Sequence, residues 1–252
     1  MSIKCGQLIY LALFNFIIRY RKTFLGPIWI VIGPSVFIGT LGLLFSRIGN
    51  VDSKLLIPHL SVGLILWTLV SGFIVSSTTV FQRSRSQILQ GSMSVPNIVM
   101  MNVFSTIIQF LHQVIIVVVV FALTGTRVSL YSLISFIGLG LLIANGVWLT
   151  YLFGIIGTRY RDLTEVVQPL MRIAFLATPI IWMPGLGDRG GVLGAYLVIN
   201  PFYHFLEIVR APLLGNSVNP LSWIVVLSIT GVGFALTRIV NDRFARNIPL
   251  WV

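Results

Sequence analysis

Charge is what this chain has least of. Among 252 residues, 17 are Lys or Arg and 6 are Asp or Glu, so charged residues make up 9%, against about 25% in a soluble domain. Hydrophobic residues make up 56%, and the mean hydropathy is +0.97. Such a chain cannot cover itself with a water-compatible surface, which excludes a soluble enzyme and a soluble nucleic-acid-binding domain. Disorder is excluded as well, because disorder needs low hydrophobicity. Cysteine is nearly absent: Cys5 stands alone, so no intramolecular disulfide and no cysteine-based metal cluster can form. His59, His112 and His204 lie far apart, no HExxH spacing occurs, and no Ser/His/Asp grouping stands out. No GxxxxGK[ST] loop is present to cradle nucleotide phosphates. The chain therefore reads as a non-enzyme without a cofactor of its own, and any uphill work must draw on a partner or an ion gradient. The apolar run 8–18 is followed, not preceded, by basic residues and has no small-residue cleavage site, so it does not read as a secretory signal.

What the chain has is apolar runs of spanning length, about 20 residues each. Residues 3–22 come first. Lys4, Gln7, Asn15, Arg19 and Lys22 fall on one helical face and Leu8, Leu11, Phe14, Ile17 and Ile18 on the rest, the pattern of a helix lying in the membrane interface. Six spans are expected at 27–45, 57–80, 98–123, 130–156, 166–183 and 221–240. Between spans 2 and 3, residues 81–97 read FQRSRSQILQGSMSVPN, a polar, basic element. Between spans 5 and 6, residues 184–218 hold two short apolar pieces around Asn200-Pro201, which suggests a re-entrant outer hairpin. The expectation is a single all-α membrane domain over 1–252.

The formal net charge of +11 would point to nucleic acid in a soluble protein. Here topology explains it first, because cytoplasmic segments collect Lys and Arg. With both termini inside, 11 basic residues fall in inside segments and 5 in outside segments, and Arg172 lies within span 5. The reading is a multi-pass chain with cytoplasmic termini and no nucleic-acid partner.

Several polar residues interrupt the spans, where they are costly and often functional. Arg161, Glu165, Gln168 and Arg172 recur at helical spacing near the start of span 5. They either line a cavity that meets an anionic head group or pair between helices or subunits. Gln109, His112 and Gln113 cluster in span 3, as a proton relay or as helix–helix hydrogen bonds. Trp29, Trp67, Trp182, Tyr196, Phe202 and Tyr203 form either an interfacial belt or amphipathic faces on which sugar rings slide. Arg83, Ser84, Arg85, Gln87 and Gln90 form a compact cytoplasmic element, which is a positive-inside loop or a docking helix for a motor. Glu207 and Arg210 sit on the second arm of the outer hairpin.

These residues also carry a family pattern. The stretch 19–29, RYRKTFLGPIW, resembles the RYR-x-T-x-LGP-x-W opening of polysaccharide-exporting ABC permeases. So do Arg159-Tyr160-Arg161-Asp162-Leu163, Thr178-Pro179-Ile180-Ile181-Trp182, and Asn200-Pro201 followed by Glu207, Arg210 and Leu213-Leu214-Gly215. In order and spacing they cover nearly the whole chain. The chain is similar to O-antigen export permeases and to capsule and teichoic acid export permeases. One departure stands in 91–96, where many relatives carry a Lys and a Phe-Pro pair and only Pro96 is present.

The resemblance implies a homodimer in the bacterial inner membrane, each copy paired with a separate cytoplasmic ATP-binding subunit that holds ATP and Mg. It implies an undecaprenyl-pyrophosphate-linked glycan as substrate. Residues 81–97 would contact the ATPase, with Arg19, Arg21 and Lys22 beside them or on lipid phosphates. Arg161 and Arg172 would attract the pyrophosphate, and 184–218 would form outer gate helices. Competing readings are an ABC permease for a drug or lipid, a proton-coupled transporter using His112 or Glu207, and a passive scaffold.

Overall fold

The computed structural model describes residues 5–21, 23–48, 52–183 and 192–252. Among them the chain is helical and contains no strand. In order, α1 spans Cys5–Tyr20, α2 Trp29–Ile48, α3 Ser53–Ser77, α4 Val80–Arg83, α5 Arg85–Leu89 and α6 Val95–Thr124. Then α7 spans Ile134–Arg159, α8 Leu163–Ala177, α9 Val192–Ile199, α10 Pro201–Leu213, α11 Pro220–Phe244 and α12 Ile248–Trp251. Among the described residues, five stretches are long and apolar enough to cross a membrane: Gly26–Ile48, Ser53–Ser77, Val95–Thr124, Leu130–Arg159 and Pro220–Phe244.

The fifth expected span, 166–183, differs. α8 has 15 residues, short of the roughly 20 that a bilayer core needs. It stops because Thr178 precedes Pro179 and adopts extended backbone, φ −95° and ψ 140°, as a residue before proline must. The other boundaries shift by local chemistry. Asp52 caps α3 by accepting from the Lys54 N–H at 2.9 Å, so that helix starts earlier than expected. Pro96 falls in the first turn of α6, where its missing N–H costs nothing. The element expected as one docking helix breaks at Ser84 into α4 and α5.

α3 is the central post. It is buried nearly all round from Leu56 to Ser77 and packs against α2, α6, α7, α8 and α10. α11 is the opposite case, burying only Ser222, Val226 and Gly233 against its neighbours. An apolar helix left bare on most of its surface needs lipid as its solvent. α7 approaches its neighbours through glycines. A methyl at Gly146 would lie 2.7 Å from the Phe73 ring, and one at Gly157 would overlap the Thr78 carbonyl. Small residues of this kind let helix backbones pack closely where burial from water supplies no drive.

α1 packs on α6 through Leu8, Ala12 and Phe16, one side chain per turn. Ile9, Tyr10, Phe14, Ile17 and Ile18 remain exposed. Residues 3 and 4 and Lys22 lie outside the described residues. Within 184–218, α9 and α10 are joined at Asn200, whose side chain accepts from the Phe202 N–H at 3.0 Å and the Tyr203 N–H at 3.4 Å. Its approach, 184–191, lies outside the described residues.

Candidate functional site

α8 buries only Val167 and Met171. Its remaining surface includes exposed Val166, Leu170, Ile173 and Leu176, together with Arg161 at its approach and Glu165, Gln168 and Arg172 along it. Beside it an open groove of about 680 Å³ runs between α2, α3 and α8, walled by Gly33, Pro34, Phe37, Trp67, Thr68, Ser71, Gln168, Arg172 and Phe175. Of the expected polar stripe, Gln168 and Arg172 face the groove, whereas Arg161 and Glu165 do not line it. Arg161 precedes α8, and from Leu163 to Arg172 the helix alone rises roughly 14 Å, so Arg161 is not part of the groove that Arg172 lines. Among the described residues, no side chain or carbonyl pairs with Arg172; the ion pair found there is Glu207–Arg210. Arg172 is exposed on the groove wall and keeps its charge unpaired, and a cation among apolar helices is costly unless it is solvated or paired. The groove must therefore admit water, a second chain or an anionic ligand.

Aromatic rings line the way out of this groove. Phe37 meets Phe175 at 6.3 Å between centroids, Phe175 meets Trp67 at 5.8 Å, and Trp67 meets Phe202 edge-on at 5.2 Å. The run leads from the groove to the base of α10. The structure thus brings together two of the expected aromatics, Trp67 and Phe202. Tyr196 lies in an adjoining cleft of about 280 Å³ with Phe202, its hydroxyl donating to the Ala177 carbonyl at 2.9 Å. Tyr203 instead packs against His204. Trp29 stands exposed at the start of α2, and Trp182 follows α8; neither lines the groove. Phe37, Phe175, Thr68 and Ser71 went unread in the sequence. Phe175 could have been found, because it falls on the face of α8 set by Gln168 and Arg172.

Above the groove, α10 is held by a buried cluster. Arg210, 2% exposed, donates to the Pro179 carbonyl and lies 3.2 Å from His59 Nε2 and 3.3 Å from Glu207 Oε2. One side chain thereby ties α10 to α3 and to the turn that ends α8. Of the other buried polar groups in the spans, several bond to neighbouring helices, whereas the buried Thr150 hydroxyl on α7 has no partner among the described residues. Gln113 accepts from the Thr68 hydroxyl at 2.5 Å, bonding α6 to α3. His112 bonds its own helix at the Ile108 carbonyl, and Gln109 is exposed on another face. Of the span 3 cluster, Gln113 alone bonds to another helix, and the three members do not converge on one site. Among the described residues, no group of three or more His, Cys, Asp or Glu is placed to hold a metal ion.

At the other end of the bundle α4 and α5 form a small platform. Val80, Phe81 and Ile88 pack with Ile98, Val99, Tyr151 and Ile155, and with Ile248 and Val252 from the far end of the chain. Arg85 and Gln90 project outward, Ser84 is buried at the break, and Gln87 is half-buried. Arg83 donates to the Ser76 carbonyl. Burial, and then repulsion from Arg19, lower the Arg83 guanidinium from its ordinary value, which places the end of α1 beside the platform. Arg19 and Arg21 are exposed there. The platform is linked to the groove. Gln82 donates to the Gly157 carbonyl at 2.8 Å, and the Thr78 and Thr164 hydroxyls meet at 2.8 Å, joining the ends of α3 and α7 to the start of α8.

Comparison with known proteins adds two findings. The family described as ABC-2 type transporter matches residues 6–214. The O-antigen export system permease protein RfbA of Myxococcus xanthus is 22% identical over 210 residues, which cover 82% of this chain and 79% of that protein.

Proposed function

Because the chain belongs to the ABC-2 type transporter family, we propose that it is the membrane subunit of an ATP-driven exporter of undecaprenyl-pyrophosphate-linked polysaccharide, of the O-antigen class. The observation that carries the reading is Arg172: an unpaired cation at mid-helix, facing a groove in which aromatic rings and hydroxyls stand among aliphatic side chains. A lipid pyrophosphate supplies the charge that Arg172 lacks. Sugar rings offer C–H faces to Trp67, Phe175 and Phe202, an arrangement that holds a moving glycan without fixing one repeat unit. The distant kinship to an O-antigen permease supports the same substrate class.

The mechanism follows the links between the sites. A second copy of the chain closes the groove and gives the bare face of α8 a partner. A separate cytoplasmic subunit binds ATP and Mg and presses on α4 and α5, through Arg83, Arg85, Gln87 and Gln90. The Thr78–Thr164 contact carries that movement to α8 and so to the groove. Arg210 holds the outer arm α10 against α3 until α8 shifts. Both termini lie in the cytoplasm of a bacterial inner membrane, as the basic residues suggest. The test is reconstitution with the ATP-binding subunit. Lipid-linked glycan should raise ATP turnover, and Arg172→Ala should remove most of that stimulation, by about tenfold or more, while basal turnover persists. Unchanged stimulation in the variant would overturn the head-group role.

A further inference from the structure

A second cleft lies on the opposite side of the bundle, between the ends of α7 and α11 that meet the platform. It has a volume of about 380 Å³. Ile155, Ile156 and Val240 give it an apolar side, and Arg159, Tyr160, Phe244 and Trp251 complete its lining. The two walls are pinned together next to the cleft, where the Tyr151 hydroxyl donates to Asn241. Arg159 is exposed, and no carboxylate pairs with it among the described residues. Its guanidinium carbon lies 5.5 Å from the Trp251 ring centroid and 5.9 Å from that of Tyr160. These rings hold the cation without neutralising it. The nearby carboxylate on α11, Asp242, accepts instead from the Asn241 side chain at 3.3 Å.

A cleft with an apolar side that opens on the bare face of α11, and a fixed, unneutralised cation at the level where the spans end, matches one kind of ligand. We infer that this cleft is a binding site for an anionic phospholipid of the inner leaflet, its acyl chain against Ile155, Ile156 and Val240 and its phosphate on Arg159. Basic pockets between spans at the cytoplasmic surface take anionic head groups. The inference rests on the export reading only in assigning this surface to the cytoplasm. The site is separate from the substrate groove, which opens between α2, α3 and α8.

The test scores binding without ATP or glycan, so it stands or falls apart from export. The delipidated full chain is titrated with phosphatidylglycerol or phosphatidylcholine and read by native mass spectrometry. Wild type should retain phosphatidylglycerol in preference to phosphatidylcholine. Arg159→Gln should lower that retention by about fivefold, the weight of one basic side chain at an anionic surface, and Arg159→Lys should keep most of it. Val240→Trp, which fills the apolar side and leaves the cation, should also lower retention, and serves if Arg159→Gln does not fold. Equal retention of the two lipids, or of phosphatidylglycerol by wild type and both cleft variants, would sink the proposal. Displacement by inorganic pyrophosphate at matched concentration would make this a free-phosphate site. Loss of the lipid when the ATP-binding subunit is bound would assign the face to that protein instead. Either outcome overturns the lipid assignment.

Discussion

Two arginines in this chain sit in apolar surroundings and have opposite consequences. Arg210 is buried and saturated by Glu207, His59 and the Pro179 carbonyl. Removing one partner of such a cluster leaves the other charge uncompensated, at a cost of about 3–5 kcal/mol. Arg210→Leu or Glu207→Leu should therefore lower the thermal midpoint of the purified chain sharply. The double replacement should recover much of the loss, because paired removal leaves no orphan charge. Arg172 makes no such bonds, so Arg172→Ala should leave the midpoint unchanged or raise it slightly while impairing substrate response. The sequence placed both residues on helices but could not separate these roles. Burial of Arg210 depends on α3, far earlier in the chain, and on a turn whose carbonyl faces inward only because Pro179 stops α8. The groove was half legible for a related reason. Gln168 and Arg172 stood out as polar residues within an apolar run, whereas Phe37 and Phe175 look like any lipid-facing phenylalanine until α2 and α8 are set side by side.

Among the elements, α7 has the strictest requirement for space. Gly146 faces the Phe73 ring and Gly157 faces the Thr78 carbonyl. Phe73 is a side chain within α3, whereas Thr78 is backbone at the end of it. Gly157→Val should therefore be the more damaging replacement, costing several kcal/mol as overpacking against backbone does, and loosening the contact between Thr78 and Thr164. A drop in folded yield, with coupling to ATP lost in whatever folds, is the expected result, and Gly140→Val, where no atom stands within 4 Å, is the control. The sequence displayed these glycines as small contact points without saying what they contact. It also gave the order of the spans and the two arms about Asn200, because hydrophobic runs and a capping Asn-Pro pair are local signals. It overestimated the span over 166–183. Apolar composition continues past Ala177, but backbone geometry at Thr178 does not. The platform was legible in composition and missed in form, since the break at Ser84 comes from packing Phe81 and Ile88 inward on both sides of it.

At the scale of the whole molecule, the charge asymmetry is a claim about sidedness that one chemical experiment can check. Cys5 is the single thiol, so Cys5→Ser gives a background in which any new cysteine is the one labelled. Arg127→Cys and Asn216→Cys should react with an impermeant maleimide in intact cells. Ser86→Cys should react only after the membrane is opened. The reverse pattern would invert the assigned orientation and with it the direction of transport. The platform is also the place where distant parts of the chain meet. Val80, Phe81 and Ile88 belong to the first half of the sequence, yet Ile248 and Val252 complete the cluster that supports them. Synthesis runs at about 5–20 residues per second. The platform's own residues therefore wait on the order of ten seconds for the segment that sets them. A motor subunit that recognises only the finished platform cannot engage a nascent, partly inserted chain. The packing of α12 against α5 then acts as a check on the order of assembly, since the platform is complete only after α12 has docked.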